Sequence, residues 1–333
     1  MFGYIVRRLF AALLVLLLLT MFVFALFFLG PKNPAQPICD AKPPCSPEKL
    51  ANIEKAMGLD MPVTEAYREW LKGIFVGRTV EFSAAETYEC SAPCLGISYT
   101  TRVPVTEELG DKIPATLSLA IGAATIYLVV GVIVGTIAAR YRGSAVDKGL
   151  VASTLTVSSI PYYVVALLAW IFLTQKYPVF ETTAYTPLLE DPRAWAAAMM
   201  LPWLVLGLTT ATSYSRYTRG QMVETLGEDY IRTAVAKGQK GRTVLLKHGL
   251  RAAIIPVVTI FGLDFGALLG GAIVTETIFG IDGIGRWGLQ AIGTPTNIPV
   301  VAATVLVGAF FIVTANLLVD IVYSFLDPRV RLT

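Results

Sequence analysis

The sequence predicts an all-α integral membrane protein with six transmembrane helices and a small insertion between the first and the second. Three observations lead there. Only 15% of the 333 residues are charged while 55% are hydrophobic, and a soluble domain, about 25% charged, could not cover its surface with so little. Apolar runs recur along the chain, each long enough to supply the roughly 20 helical residues that a bilayer core requires. The basic residues gather in alternate connections, the asymmetry of a chain threaded through a membrane.

The same composition excludes other chemistry. His248 is the single histidine, so a multi-histidine zinc site cannot come from this chain and no metal is expected. A net charge of +3 gives no reason to expect nucleic acid as a partner.

The first run, Leu9 to Leu29, follows Arg7 and Arg8. It exceeds an ordinary signal-peptide core and no small-x-small site follows, so it reads as an uncleaved anchor. Ile113 to Ala139 carries no charge, with Pro114 placed at a helix start, where its missing N–H is harmless. Gly149 to Thr174 is also uncharged, and Pro161 should kink it. Ala194 to Tyr214 contains Pro202. Ala252 to Thr275 is interrupted by Asp264, and Val300 to Phe325 holds Asn316 and Asp320.

Counting Lys and Arg in short loops places both termini in the cytoplasm. The inner segments then hold 15 basic and 5 acidic residues, and 8 of those basic residues lie between Arg216 and Arg251. The two short outer loops hold only Lys176, Arg193 and Arg286. The organisation that follows is an anchor over 1–30, an extracytoplasmic segment over 31–112, a five-helix core over 113–326 with an inner loop at 215–251, and a tail over 327–333.

The outer segment is rich in Pro, Glu and Lys. Ser46 to Met57 reads as a short helix, with Ser46 as cap, Pro47 at its first position and Glu48 in its first turn. Cys39, Cys45, Cys90 and Cys94 all fall outside the membrane, which favours disulfides. Three connectivities are possible. The local pairs Cys39–Cys45 and Cys90–Cys94 are preferred over four free thiols or an adventitious metal site.

Two glycine stripes mark close helix approach: Gly131 and Gly135 in the second span, and Gly262, Gly266 and Gly270 in the fifth. They fit packing within one subunit, or at a subunit interface around a pathway. Asp264, Glu276 and Asp320 are the acids within or at the end of spans. Each should face protein or water, since an ionised carboxylate in lipid is expensive. Glu276 reads as lying at the outer end of span five, where the headgroup region would receive it. Asp320 suits an ion pair or helix cap near the inner face. Asp264 is the deepest candidate for a wet pathway, with hydrogen-bonded packing as its alternative.

The inner loop is far longer than neighbouring spans need. Glu228 and Asp229 stand in a first helical turn, Lys237 in a last turn and Gly238 just beyond, an order that suits the helix dipole and a left-handed stop. Tyr230, Ile231, Ala234 and Val235 share one face. The connection resumes at Arg242, with Gly241 or Thr243 marking the break. A loop that is basic merely because it is inside would need no helix with its own stop. A protruding helix reads as a docking surface for a partner.

At this loop the chain resembles the membrane subunits of ABC importers, in particular the dipeptide, oligopeptide and nickel permease family. Their cytoplasmic motif is Glu-Ala-Ala, three residues, Gly, nine residues, then Ile-x-Leu-Pro. Here Arg232-Thr233-Ala234 stands at the first position, Gly238 follows after three residues, and His248-Gly249-Leu250-Arg251 after nine more. Ala234, Gly238 and Leu250 match. The peptide-permease form, with Asp229-Tyr230-Ile231-Arg232-Thr233-Ala234 and Ala236-Lys237-Gly238, fits better. Tyr4-Ile5-Val6-Arg7-Arg8-Leu9, Gly270 to Phe279 with Gly283-Ile284-Gly285-Arg286, and Asn316 to Asp320 with Asp327 to Arg331 resemble other family segments. The resemblance covers essentially the whole chain, and the four-cysteine segment is its least typical part.

The resemblance implies the type I importer permease fold and a non-catalytic subunit. Its implied partners are a second, related permease subunit, two ATP-binding subunits that hold ATP and Mg, and an extracytoplasmic substrate-binding protein. The sequence carries no phosphate loop of its own; Gly238-Gln239-Lys240-Gly241 lacks the spacing. The implied substrate is a di- or oligopeptide, with nickel-chelate, glutathione or another small solute as alternatives within the family. An ion-coupled secondary transporter is the rival class, but it would usually show internal repeats. The ATPase contact is expected along Glu228, Asp229, Tyr230, Arg232, Thr233, Ala234, Ala236, Lys237 and Gly238.

Overall fold

A computed structural model gives the architecture. It describes residues 2–28, 33, 35–40, 44–83, 86–181, 184–293 and 295–326, apart from the side chains of 2–5, 26–28, 37, 82–83, 86 and 320–326. The chain order begins with α1 (Phe2–Phe28), α2 (Gln36–Asp40), α3 (Pro47–Ala56) and α4 (Val63–Val76). The hairpin β1 (Arg78–Ser83) and β2 (Glu86–Cys90) follows, then α5 (Val105–Arg140), α6 (Ala145–Ser159) and α7 (Tyr162–Lys176). Next come α8 (Pro192–Leu226), α9 (Asp229–Ala236), α10 (Gly241–Leu269), α11 (Ile273–Ile278), α12 (Ile284–Ala291) and α13 (Ile298–Leu326). Among the described residues five helices (α1, α5, α8, α10 and α13) are long and apolar enough to cross a membrane, and the bent pair α6–α7 makes a sixth if counted as one span.

The described chain divides into two compact units, one formed by 1–114 and 282–313, the other by 115–281 and 314–333. In the first, β1 and β2 pair antiparallel from Arg78 opposite Cys90 to Ser83 opposite Glu86. Disulfides join Cys39 to Cys45 and Cys90 to Cys94, as the local spacing led us to expect. Helix α3 is capped as its sequence dictates: Ser46 accepts from the Lys49 amide at 3.2 Å, and Pro47 opens the helix. Leu95, Val105, Leu109, Ile284, Trp287 and Val300 form the main core of this unit. Asn297 stitches the β2–α5 connection to the start of α13, donating to Ser98 Oγ at 2.8 Å and accepting from the Tyr99 amide at 3.1 Å.

This core explains a departure from the sequence reading of span two. Helix α5 begins at Val105, so Pro114 lies inside the helix and not at its start. The apolar run alone hid this extension, because Val105 and Leu109 are buried by neighbouring elements while Glu107 and Glu108 give the first turn a polar look. Those two acids suit the positive end of the helix dipole.

In the second unit the helices approach closely over glycine. Cβ atoms at Gly131 and Gly135 of α5 would strike Tyr214, the Ser215 carbonyl and Thr218 of α8, so here the stripe packs within one chain. Gly207 of α8 returns the relation, facing Ile126 of α5. Gly262 lies against Val319, and Gly266 is buried. Ala124, Tyr127, Ala211, Tyr214 and Val257 form a core among α5, α8 and α10. Span three breaks sharply: α6 and α7 meet at 86°. Pro161 stands at the N-cap of α7, and the Ile160 before it is extended. A residue preceding proline is biased out of the helical region, which places the bend.

Most of the expected inner loop is helix. Helix α8 continues past the apolar stretch to Leu226, and α10 starts at Gly241, leaving only short joints on either side of α9. Within α10 the backbone widens into π turns over Val244–Leu250. Span five then stops at Leu269 rather than Thr275. Gly271 turns the chain with φ of +117°, and a short helix, α11, follows.

Candidate functional site

The site is built around α9. Helix α8 ends at Leu226, where the amides of Gly227 and Glu228 turn back onto Glu224 and Thr225. Asp229 then opens α9, its carboxylate placed in the first turn where the dipole favours it. The stop is a complete Schellman motif. The Gly238 amide bonds the Val235 carbonyl at 2.9 Å, the Gln239 amide bonds the Ala234 carbonyl at 3.3 Å, and Gly238 has φ of +72°. Gly238 stands where the sequence placed the stop, whereas Lys237, expected in the last turn, is the C-cap residue and Glu228 is the N-cap.

The two sides of α9 differ. Ile231 and Ala234 are buried at 4% and 6% exposure, packed with Val244 of α10 and flanked by Leu226 of α8. Tyr230 and Val235 remain exposed, at 46% and 58%. Sequence grouped all four on one docking face. In the structure half of that face holds α9 to its own chain, and the other half stays open. Burial and the nearby Glu228 carboxylate push the Tyr230 phenol up, so it is neutral at physiological pH. The Arg232–Asp229 pair, at 3.5 Å, is solvent-exposed and contributes little. Thr233 turns its hydroxyl back onto the Asp229 carbonyl.

Beyond Gly238, Gln239 meets His248 at 2.8 Å, tying the joint to the wide turns of α10. A cavity of about 330 Å³ opens beside them, lined by Tyr230, Lys247, His248, Arg251, Ala252 and Ile255. Lys247 and Arg251 supply cations to its wall, and Tyr230 contributes to it from the exposed side of α9.

The base of α8 is fixed by two arginines. Arg219 donates from Nε and Nη2 to the two oxygens of Asp147 in the first turn of α6, at 2.6 and 2.7 Å. Asp147 also accepts from the Gly143 amide at 2.8 Å. Arg216 reaches Ser158 Oγ at 2.7 Å. Sequence reasoning missed this clamp. A local signal existed in Ser144-Ala145-Val146-Asp147, which has the form of a capping box: Ser144 accepts from the Asp147 amide while Asp147 reaches back to Gly143.

The three span acids have different surroundings. Asp264 accepts from the Tyr214 phenol at 2.8 Å, and the Tyr127 ring lies tilted against that of Tyr214 with centroids 4.6 Å apart. It therefore faces protein. Glu276 does not lie at the end of span five: it stands on α11, fully buried, and accepts from Thr116 Oγ1 at 2.9 Å. The break at Gly270-Gly271 separates it from the span that ends at Leu269. The side chain of Asp320 lies outside the described residues.

Residues 131–332 match the family described as binding-protein-dependent transport system inner membrane component, and residues 1–120 match the N-terminal region of such membrane components. The chain belongs to this family. Relatives match over nearly their full length. A dipeptide transport system permease protein, DppB, of Escherichia coli K12 is 35% identical over 99% of both chains. A Brucella abortus protein whose name assigns it to a peptide transport system as a permease is 36% identical over 98% of each. A peptide ABC transporter permease protein named as probable, from Sinorhizobium fredii, is 31% identical over 98% of this chain. The chain is thus a multi-pass inner-membrane permease of the ABC importer type, a transport subunit rather than a catalyst.

Proposed function

We propose that this permease forms half of the translocation pathway of an ATP-driven importer of di- or oligopeptides. A second, related permease subunit completes the pathway, two separate ATPase subunits bind ATP and Mg, and an extracytoplasmic binding protein delivers substrate. Both termini lie in the cytoplasm, where the basic excess of the inner segments places them. The observation that carries the coupling role is the two-sided burial of α9. Ile231 and Ala234 make the helix rigid with the bases of α8 and α10, while Tyr230 and Val235 present an open surface to a cleft on the ATPase.

Closure of the ATPase pair would then move α9 as a body. The movement would pass into α8 and α10 directly and into α6 through Arg219 and Asp147. The peptide assignment rests on the names of the full-length relatives. Reconstitution with the four partner proteins tests both parts. Uptake of a labelled dipeptide should require ATP and stop with vanadate. ATP-independent uptake driven by an ion gradient would overturn the coupling, and failure to carry any peptide would overturn the substrate class.

A further inference from the structure

Helix α4 carries a pattern that none of the coupling steps uses. Tyr67, Leu71, Ile74 and Phe75 recur at helical spacing and form one apolar side, while Glu65, Arg68, Glu69 and Lys72 lie on the other. The protein covers only part of this helix. Ala66, Trp70 and Gly73 are buried, Tyr67, Leu71 and Ile74 are partly buried, and Phe75 is 77% exposed. At about 100° per residue, the order around α4 is fixed by its sequence. It runs from the buried Ala66, Gly73 and Trp70 through Tyr67 to Leu71 and Phe75, then to Arg68 and Lys72, and last to Glu65 and Glu69. The open edge is therefore apolar at Leu71 and Phe75, cationic next to that, and acidic beyond.

What lies beside this edge is set by α1. The stretch of α1 long and apolar enough to cross a membrane runs from Val6 to Ala25. Tyr67 Oη lies 2.8 Å from Thr20 Oγ1 and donates to the Leu17 carbonyl at 3.4 Å. Thr20 stands five residues inside the end of that stretch, which is about 8 Å along the helix at a rise of about 1.5 Å per residue. The Phe24 ring meets Tyr67 edge-on with centroids 5.5 Å apart, and Trp70 lies 6.1 Å from Phe24. Helix α4 is thus tied to α1 just inside the boundary of the apolar stretch, the level at which Tyr and Trp gather in membranes. Leu17, Met21 and Phe22 have exposed side chains, so the lipid-facing surface of α1 extends up to the contact with α4.

We infer that α4 is an interfacial helix whose open edge rests in the lipid leaflet beside the end of α1. Leu71 and Phe75 enter the acyl region, Arg68 and Lys72 reach lipid phosphates, and Glu65 and Glu69 stay in water. The order around the helix selects a leaflet over a protein partner. Apolar, then cationic, then acidic matches hydrocarbon, phosphate and water taken in sequence away from the bilayer core. Arg68 is available for this contact, because its pairing with Glu65, at 3.9 Å on an exposed surface, is weak. The membrane then supports the disulfide-bearing segment directly through α4.

The test uses the full chain in liposomes of phosphatidylethanolamine and phosphatidylglycerol, with one nitroxide at a time on Leu71→Cys, Phe75→Cys or Glu69→Cys. The native cysteines are held in disulfides and do not compete for the label. Electron paramagnetic resonance then compares collision with oxygen, which concentrates in lipid, against collision with a nickel chelate, which stays in water. The oxygen-to-nickel ratio should be several-fold higher at positions 71 and 75 than at 69. The two apolar positions are read independently, so a folding failure in one leaves the other decisive. Arg68→Gln combined with Lys72→Gln should shift position 75 toward the nickel chelate, and an unchanged ratio would overturn the phosphate contacts. Equal ratios at 69, 71 and 75 would place the edge in water and overturn the interfacial helix. Shielding of position 75 from both reagents would assign the edge to a protein contact, such as a second copy of this chain, and would overturn it too.

Discussion

Arg219 on α8 donates two parallel hydrogen bonds to Asp147 on α6, at 2.6 and 2.7 Å, and so locks the bases of two helices through residues 72 positions apart in sequence. Asp147 is only 3% exposed, so the pair is shielded on its acidic side. Removing Asp147 leaves Arg219, whose side chain is 29% exposed, without its counterpart. We expect Asp147→Ala to lower the melting temperature in detergent measurably. Replacing both partners by Leu should recover more than half of that loss. If the double variant is as unstable as the single one, packing and not pairing is what the site supplies.

Gly238 tests the helix stop. A Cβ there would meet no neighbour within 4 Å, yet φ is +72°, so a substitution is penalised by backbone strain alone, about 1–2 kcal/mol. Strain of that size shifts the docked helix by roughly tenfold in population. Gly238→Asp should therefore insert normally and lower ATP-coupled uptake by about tenfold. Normal uptake by a normally inserted variant would remove Gly238 from the coupling role.

The two sides of α9 should separate under mutation. Ile231→Ala empties a buried site and should loosen the helix by about 2–4 kcal/mol, detected as faster proteolysis near Lys237. Tyr230→Ala and Val235→Ala touch exposed residues, and should leave proteolysis unchanged while lowering co-purification of the ATPase. Loss of ATPase binding from Ile231→Ala alone, with the exposed variants unaffected, would reverse the assignment of the faces.

Asp264 accepts a hydrogen bond that an amide can also accept. Asp264→Asn should keep the Tyr214 contact and retain uptake, whereas Asp264→Leu leaves the Tyr214 hydroxyl without its acceptor and should reduce folded protein. A transport-dead but well-folded Asp264→Asn would show that ionisation itself is needed.

Much of this was legible in sequence where the signal is local. The bend at Pro161, the cap at Ser46 and the stop at Gly238 each depend on residues within a few positions of one another. The Cys39–Cys45 and Cys90–Cys94 pairs are separated by 6 and 4 positions. The water-side ends of α8 and α10 were less visible. Residues such as Arg216, Arg219 and Lys247 break the apolar pattern by which spans are recognised, although the helix continues through them. Contacts across large separations were not visible at all: Arg219 with Asp147, Tyr214 with Asp264, and Glu276 with Thr116 are chosen by the packing of helices. Glu276 shows the reason. Helix α10 stops at Leu269 and Gly271 takes φ of +117°, whereas a run of apolar residues ending in Thr275 reads as a straight span.

Cross-linking from α9 tests the coupling account most directly. All four cysteines are held in disulfides, so a single cysteine can be introduced without a competing thiol. In the assembled importer, Val235→Cys should cross-link to the ATPase subunit with a yield that changes when ATP is added, and Ile231→Cys should not cross-link. Equal cross-linking from both positions, or none from Val235→Cys in an importer that still transports, would contradict the proposal that the exposed side of α9 is what the ATPase grips.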